Sequence, residues 1–131
     1  VLRDERGSTG IVFSLALLPL LGAAGAAVDY TRAAQTRTHL QGVVDAAILA
    51  GLKAPANRQG AQAEAYVRAA LASKGVAIEQ VSFTATATQG LRGRAKVRLP
   101  SLFGNLLGME GIEIAAGAEG MLRSTTTTSQ V

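Results

Sequence analysis

The sequence predicts an α+β fold: one long N-terminal hydrophobic helix packed on a small antiparallel three-stranded sheet, with a second short helix. Three observations carry this. Residues 7–28 form a run of 22 residues without a charge. Apolar residues at helical spacing then continue to about Lys53. Beyond residue 80 the apolar positions alternate strictly, which is the period of a half-buried strand. At 131 residues the chain has room for one compact domain and one hydrophobic segment, not for two full domains. Its units are expected at 1–28 (charged lead and hydrophobic helix), 29–124 (amphipathic half-helix and head) and 125–131 (polar tail).

The lead Arg3-Asp4-Glu5-Arg6 precedes Gly7-Ser8-Thr9-Gly10 and then IVFSLALLPLLGAAGAAV, residues 11–28. A helix crosses the hydrocarbon core with roughly 20 mostly apolar residues, so this stretch is long enough to span. Three readings fit it. It is a cleaved secretory signal with Ala24-Gly25-Ala26 as the cleavage site, a permanent anchor, or a helix that enters the membrane and later packs against copies of itself. Ile11, Phe13, Leu17 and Leu21 supply apolar surface for the last two. Gly22 with Ala26, and Ala23 with Ala27, form small-xxx-small pairs, and Gly25 adds to them. Pro19 removes one helical hydrogen bond and predicts a kink or local melting. Asp29 closes the run, where it marks the membrane boundary or meets a basic group on a neighbouring subunit.

Helical spacing does not stop there. Leu40, Val43, Val44, Ala47, Ile48, Gly51 and Leu52 recur at i, i+3, i+4 and i+7, and Leu40, Val44, Ala47 and Ile48 are expected to pack the helix onto the head. One helix from about residue 8 to 53 would measure roughly 70 Å at about 1.5 Å per residue. Ala54-Pro55-Ala56-Asn57 ends it. A second helix is expected from Gln59 or Gly60 to Ser73, with Gly75 just beyond its end and Ala65, Tyr66, Ala69, Ala70 and Leu71 on its buried face.

In the remainder, Val81, Phe83, Ala85 and Ala87 alternate with Ser82, Thr84, Thr86 and Thr88. Gly90-Leu91-Arg92-Gly93 reads as a turn, and Ala95, Val97 and Leu99 as the returning strand. Pro100-Ser101 leads into a short helical turn over 102–107. A third strand runs from Ile112 to about Arg123, with Ile112, Ile114, Ala116 and Ala118 on one face. Such a sheet needs a cover, and the amphipathic half of the long helix can provide it.

Composition restricts function. The net charge is +4 and the pI about 10.1, but the only basic cluster is Arg92, Arg94, Lys96 and Arg98, at alternate strand positions with no interleaved aromatics. A solvated strand face explains it, and nucleic acid is not an expected partner. With no cysteine and a single histidine, His39, neither a metal site nor a cofactor is expected. Asp29 and Asp45 lie sixteen residues apart, about 160° around a helix, so they form no acid–base pair. No catalytic residue is assigned, and the chain is not expected to be an enzyme.

Gly7-Ser8-Thr9, Leu17-Leu18-Pro19-Leu20-Leu21, Gly25-Ala26-Ala27-Val28-Asp29-Tyr30 with Arg32, and Leu40-Gln41 followed by residues 45–51 resemble the N-terminal helix of TadE/TadG-like proteins of the Flp (Tad) pilus. The resemblance is specific over 7–51 and looser over 95–120, and it is closer to the TadG branch. TadE-type pilins are cut after a glycine and carry a glutamate five residues on, whereas Val12 stands there after Gly7. The resemblance implies a bacterial pilus-associated protein whose helix starts in the inner membrane with a small head outside, and the expected function is a structural pilin-like subunit assembled through that helix into a cell-surface filament. Its expected partners are copies of itself in a helical filament, the inner membrane before assembly, and the pilus assembly machinery. An anchored assembly factor that never enters the filament is the alternative. A basic surface-binding module on Arg92–Arg98 is a third reading. Relatives with a C-terminal adhesion domain carry a metal site, and nothing up to Val131 suggests one.

Overall fold

The computed structural model describes residues 6–122. The charged lead before Arg6, the end of the expected third strand at Arg123 and the tail 125–131 lie outside the described residues. The elements in chain order are α1 (Arg6–Leu52), α2 (Gln59–Ala72), β1 (Ala77–Ala85), β2 (Gly90–Leu99), a 3₁₀ turn (Gly104–Leu107) and β3 (Ile112–Met121). The fold is α+β, as expected.

α1 is one helix of 47 residues that runs unbroken through Pro19. The expected melting does not occur. Ala and Leu dominate the helix and favour it locally, and its hydroxyls return to its own carbonyls: Ser14 donates to Gly10 O, Thr31 to Ala27 O and Thr38 to Ala34 O. After Leu52 the chain turns through Ala54 N–H to Gly51 O and Arg58 N–H to Pro55 O. α2 ends short of Gly75, whose φ of +64° places it in the left-handed region that glycine adopts without strain.

The sheet order is β1-β2-β3, antiparallel throughout. α1 packs on β3 and β2, and α2 on α1 and β1. From Asp29 to Leu52 the helix is about 35 Å long, and a ten-residue strand is about 33 Å, so the two run nearly the full length of one another. The core lies between them. Leu40, Val43, Val44, Ala47, Ile48 and Leu52 of α1 meet Leu91, Ala95, Val97 and Leu99 of β2, Ile114 and Ala116 of β3, and Ala63, Val67 and Leu71 of α2.

Two local expectations are corrected. The buried stripe of α2 is Ala63, Val67 and Leu71, spaced i, i+4, i+8, while Ala65, Tyr66 and Ala69 face solvent. α2 packs against both α1 and β1, and this stripe is the face it turns to them, whereas an alanine-rich helix offers no single stripe by composition. The hairpin turn is not Gly90–Gly93 but the segment 86–89, and Ala87 leaves the strand. Thr86 N–H donates to Gly90 O, Gly90 N–H donates to Thr86 Oγ1, and Gln89 takes a φ of +56°. Gly90 and Gly93 belong to β2 because side chains would not fit there. A Cβ on Gly90 would sit 2.6 Å from Gly120 O, and one on Gly93 would enter the Phe83 ring.

β1 carries a bulge between Ile78 and Gln80. The extra residue lets both Glu79 and Gln80 face outward between inward Ile78 and Val81, and it disrupts pairing on an edge strand.

Candidate functional site

Two features outside the core stand out: the free apolar half of α1 and the place where the head grips it. From Gly7 to Ala24 every side chain is exposed, including Ile11, Phe13, Leu17, Pro19, Leu21 and Gly22. This length and hydropathy suffice to cross a membrane. The small residues divide. A Cβ on Gly22 would meet nothing within 4 Å and Ala26 is exposed, so this face is open. Gly25 is buried, and a Cβ there would lie 2.6 Å from Phe103 Cγ. It serves intramolecular contact.

One turn further on, Asp29 is only 7% exposed. Its own chain engages it. Ser101 Oγ donates to Oδ2 at 2.5 Å, Leu102 N–H to Oδ1 at 3.0 Å, and the N–H groups of Phe103 and Gly104 to Oδ2 at 3.1 and 3.3 Å. Ser101 Oγ also accepts from Gly104 N–H at 2.8 Å. The carboxylate thus takes up the donors that would be orphaned at the start of the 3₁₀ turn. Hydrogen bonding from Ser101 first, and then from the three backbone N–H groups, lowers its pKa to about 2 against the opposing effect of burial. Ser101, Phe103 and Gly104 were not singled out from the sequence. The only signal was one acid closing an apolar run, and its partners lie more than seventy residues away.

Leu40, Val44, Ala47 and Ile48 are all buried against the head. Gln41 adds a polar tie, donating from Nε2 to Gly117 O of β3 and to Asp45 Oδ1.

On the opposite, solvent face of the sheet, the basic residues of β2 meet acids. Arg92 pairs with Glu119 at 2.8 Å, Arg98 with Glu79 at 2.6 Å, and Lys96 with Glu113. Hydrogen bonding to Glu113 raises the Lys96 pKa, and Lys96 first, then Glu79, lowers that of Glu113. Three of the four cations are therefore answered within the sheet, which favours a solvated strand face over a binding patch. Because these pairs are exposed, Arg92→Ala should lower stability by only about 0.5 kcal/mol, a shift in Tm of a few degrees by circular dichroism.

Stalk and head together define a class: a protein that hangs a small α+β head on one long, largely apolar helix. Residues 7–63 match the family model described as "Putative Flp pilus-assembly TadE/G-like", so over this stretch the chain is similar to TadE/TadG-like proteins. The match covers α1 and the first turn of α2. The looser likeness over 95–120 falls outside it. No curated protein and no solved structure matches the chain.

Proposed function

We propose that this protein is a pilin-like structural subunit of a Tad-type pilus, held in the bacterial inner membrane by residues 8–28 and then packed through that helix into an extracellular filament. The supporting observation is the half-helix that leaves the head with apolar side chains exposed all round and an open small-residue face at Gly22 and Ala26. Ile11, Phe13, Leu17 and Leu21 exchange lipid for neighbouring helices, and the Gly22 face admits a close backbone. Because lipid already hides this surface, the exchange itself releases little free energy, and extraction is driven by the assembly machinery. The partners are other copies, the membrane before assembly and that machinery.

Gly22→Leu tests the packing. A Cβ at position 22 meets nothing within 4 Å among the described residues, so the variant should fold and insert normally. It should be missing from filaments sheared off the cell surface, as read by electron microscopy and mass spectrometry. Filaments with normal amounts of the variant would refute packing through this face.

Val12, five residues after Gly7, favours the second reading, an anchored assembly factor, because a TadE-type pilin carries glutamate there. In that case the wild-type protein stays in the detergent-extracted membrane fraction and is absent from sheared filaments.

A further inference from the structure

Residues 99–109, LPSLFGNLLGM, contain no charge, and they fold into a loop at the end of β2 opposite the 86–89 turn. Past Leu99, which belongs to the core, this loop does not bury its large apolar side chains. Leu106 and Leu107 are 82% and 81% exposed, and Leu102, Phe103 and Met109 are also exposed. Five large apolar side chains on one short loop form a patch that a soluble surface does not ordinarily leave open.

Its place in the fold says what covers it. Asp29 ties the loop to α1 where the uncharged run ends, and Phe103 lies against Gly25, inside that run. Four residues of helix separate these two contacts, about 6 Å along the axis. The loop therefore reaches roughly one turn into the level of the apolar segment, within the 5–10 Å depth of an interfacial element. Tyr30, 76% exposed beside Asp29, stands where an aromatic side chain meets the headgroup layer.

The loop backbone is also prepared to leave water. The N–H groups of Leu102, Phe103 and Gly104 go to Asp29, and those of Leu106, Gly108 and Met109 go to Phe103 O, Asn105 O and Gly104 O. Irregular backbone enters lipid only when its polar groups are satisfied from within. Gly108, at φ +76°, closes the turn in a conformation that suits glycine.

We propose that the 101–109 loop is a second membrane contact, a wedge of Leu102, Phe103, Leu106, Leu107 and Met109 seated in the lipid interface beside the exit of α1. It fixes the head's tilt on the membrane and adds apolar contact to the single span. The inference rests on the reading that residues 8–28 lie in the bilayer.

The chain has no cysteine, so single cysteines report without interference. The full chain, reconstituted into phosphatidylethanolamine–phosphatidylglycerol vesicles, is labelled with an environment-sensitive fluorophore at Leu107→Cys, Leu18→Cys or Ala87→Cys. The expected result is quenching of position 107 by lipids brominated near the headgroup. Position 18 should be quenched by lipids brominated deep in the chains, and position 87 only by aqueous iodide. If 18 is quenched by lipid while 107 is reached by iodide, the wedge is overturned and the span stands. If neither meets lipid, both readings fall. If the label at 107 is shielded from lipid and iodide alike, and the unlabelled Leu107→Cys variant forms disulfides between copies under an added oxidant, a second subunit covers the patch and the lipid contact is overturned.

Discussion

Replacing Gly51 by leucine should destabilise the head by about 3 kcal/mol. Gly51 lies in the last turn of α1, where the helix meets the start of α2 and the central strand. A Cβ there would stand 2.7 Å from Gln59 O, 2.8 Å from Leu91 Cδ2 and 3.0 Å from Ala63 Cβ. The nearest of these atoms is backbone and cannot swing away, and both side chains are fully buried. Leucine improves helix propensity by at most about 1 kcal/mol over glycine, so overpacking wins. In detergent micelles the Tm followed by circular dichroism should fall on the order of 10–20 °C. Gly42→Ala provides the contrast. Gly42 is exposed on the same helix with nothing within 4 Å, so its substitution should hold or raise the Tm. An unchanged Tm in Gly51→Leu would show that the α1–α2 corner is not closed as described.

Asp29→Ala should release the 101–109 loop while leaving the core folded. It removes at once the acceptor for Ser101 Oγ and for the N–H groups of Leu102, Phe103 and Gly104. No other residue takes their place, apart from the Ser101 hydroxyl that already serves Gly104. Amide exchange at 102–104 should accelerate by on the order of tenfold or more, with Leu40 and Val44 still protected. Asp29→Asn should fall between, since one oxygen remains to accept but the amide nitrogen faces donors.

The same contact makes loop docking pH-dependent. The Asp29 pKa is depressed in the folded state, from 3.8 to about 2. Its stabilising contribution is therefore complete above about pH 4 and is lost as the pH falls towards 2. Exchange at 102–104 should rise across that window beyond what intrinsic acid exchange accounts for. A flat profile in the wild type, or one matching that of Asp29→Ala, would refute the carboxylate's role.

Much of this architecture is legible in the residues themselves, because it depends on period and length. The 22 uncharged residues of 7–28, the stripe at Leu40, Val44, Ala47 and Ile48, the stop at Pro55 and the alternation from Ile112 to Ala118 each declare an element and its inner face. The family likeness follows from the same stretch, since the matched residues 7–63 are those whose pattern is strongest. Glycine misleads where its role is contact and not conformation. Gly90 and Gly93 read as a turn, yet they lie in β2 because Gly120 O and the Phe83 ring occupy the space a side chain would need. Gly25 reads as a surface for other copies, yet Phe103 covers it.

What only the tertiary structure decided is who meets whom across long stretches of chain. No periodicity in the sequence couples Asp29 to Ser101 or Gly25 to Phe103, because those contacts depend on where β2 delivers the chain against α1. The exposure of Leu106 and Leu107 belongs to the same class. Apolar residues in a short loop are ordinarily taken for core, and only the placement of that loop beside the exit of the apolar helix leaves them facing outward. Local propensity and hydrophobic period determined the elements. The space between the packed elements determined which glycines, acid and loop became the junction of stalk and head.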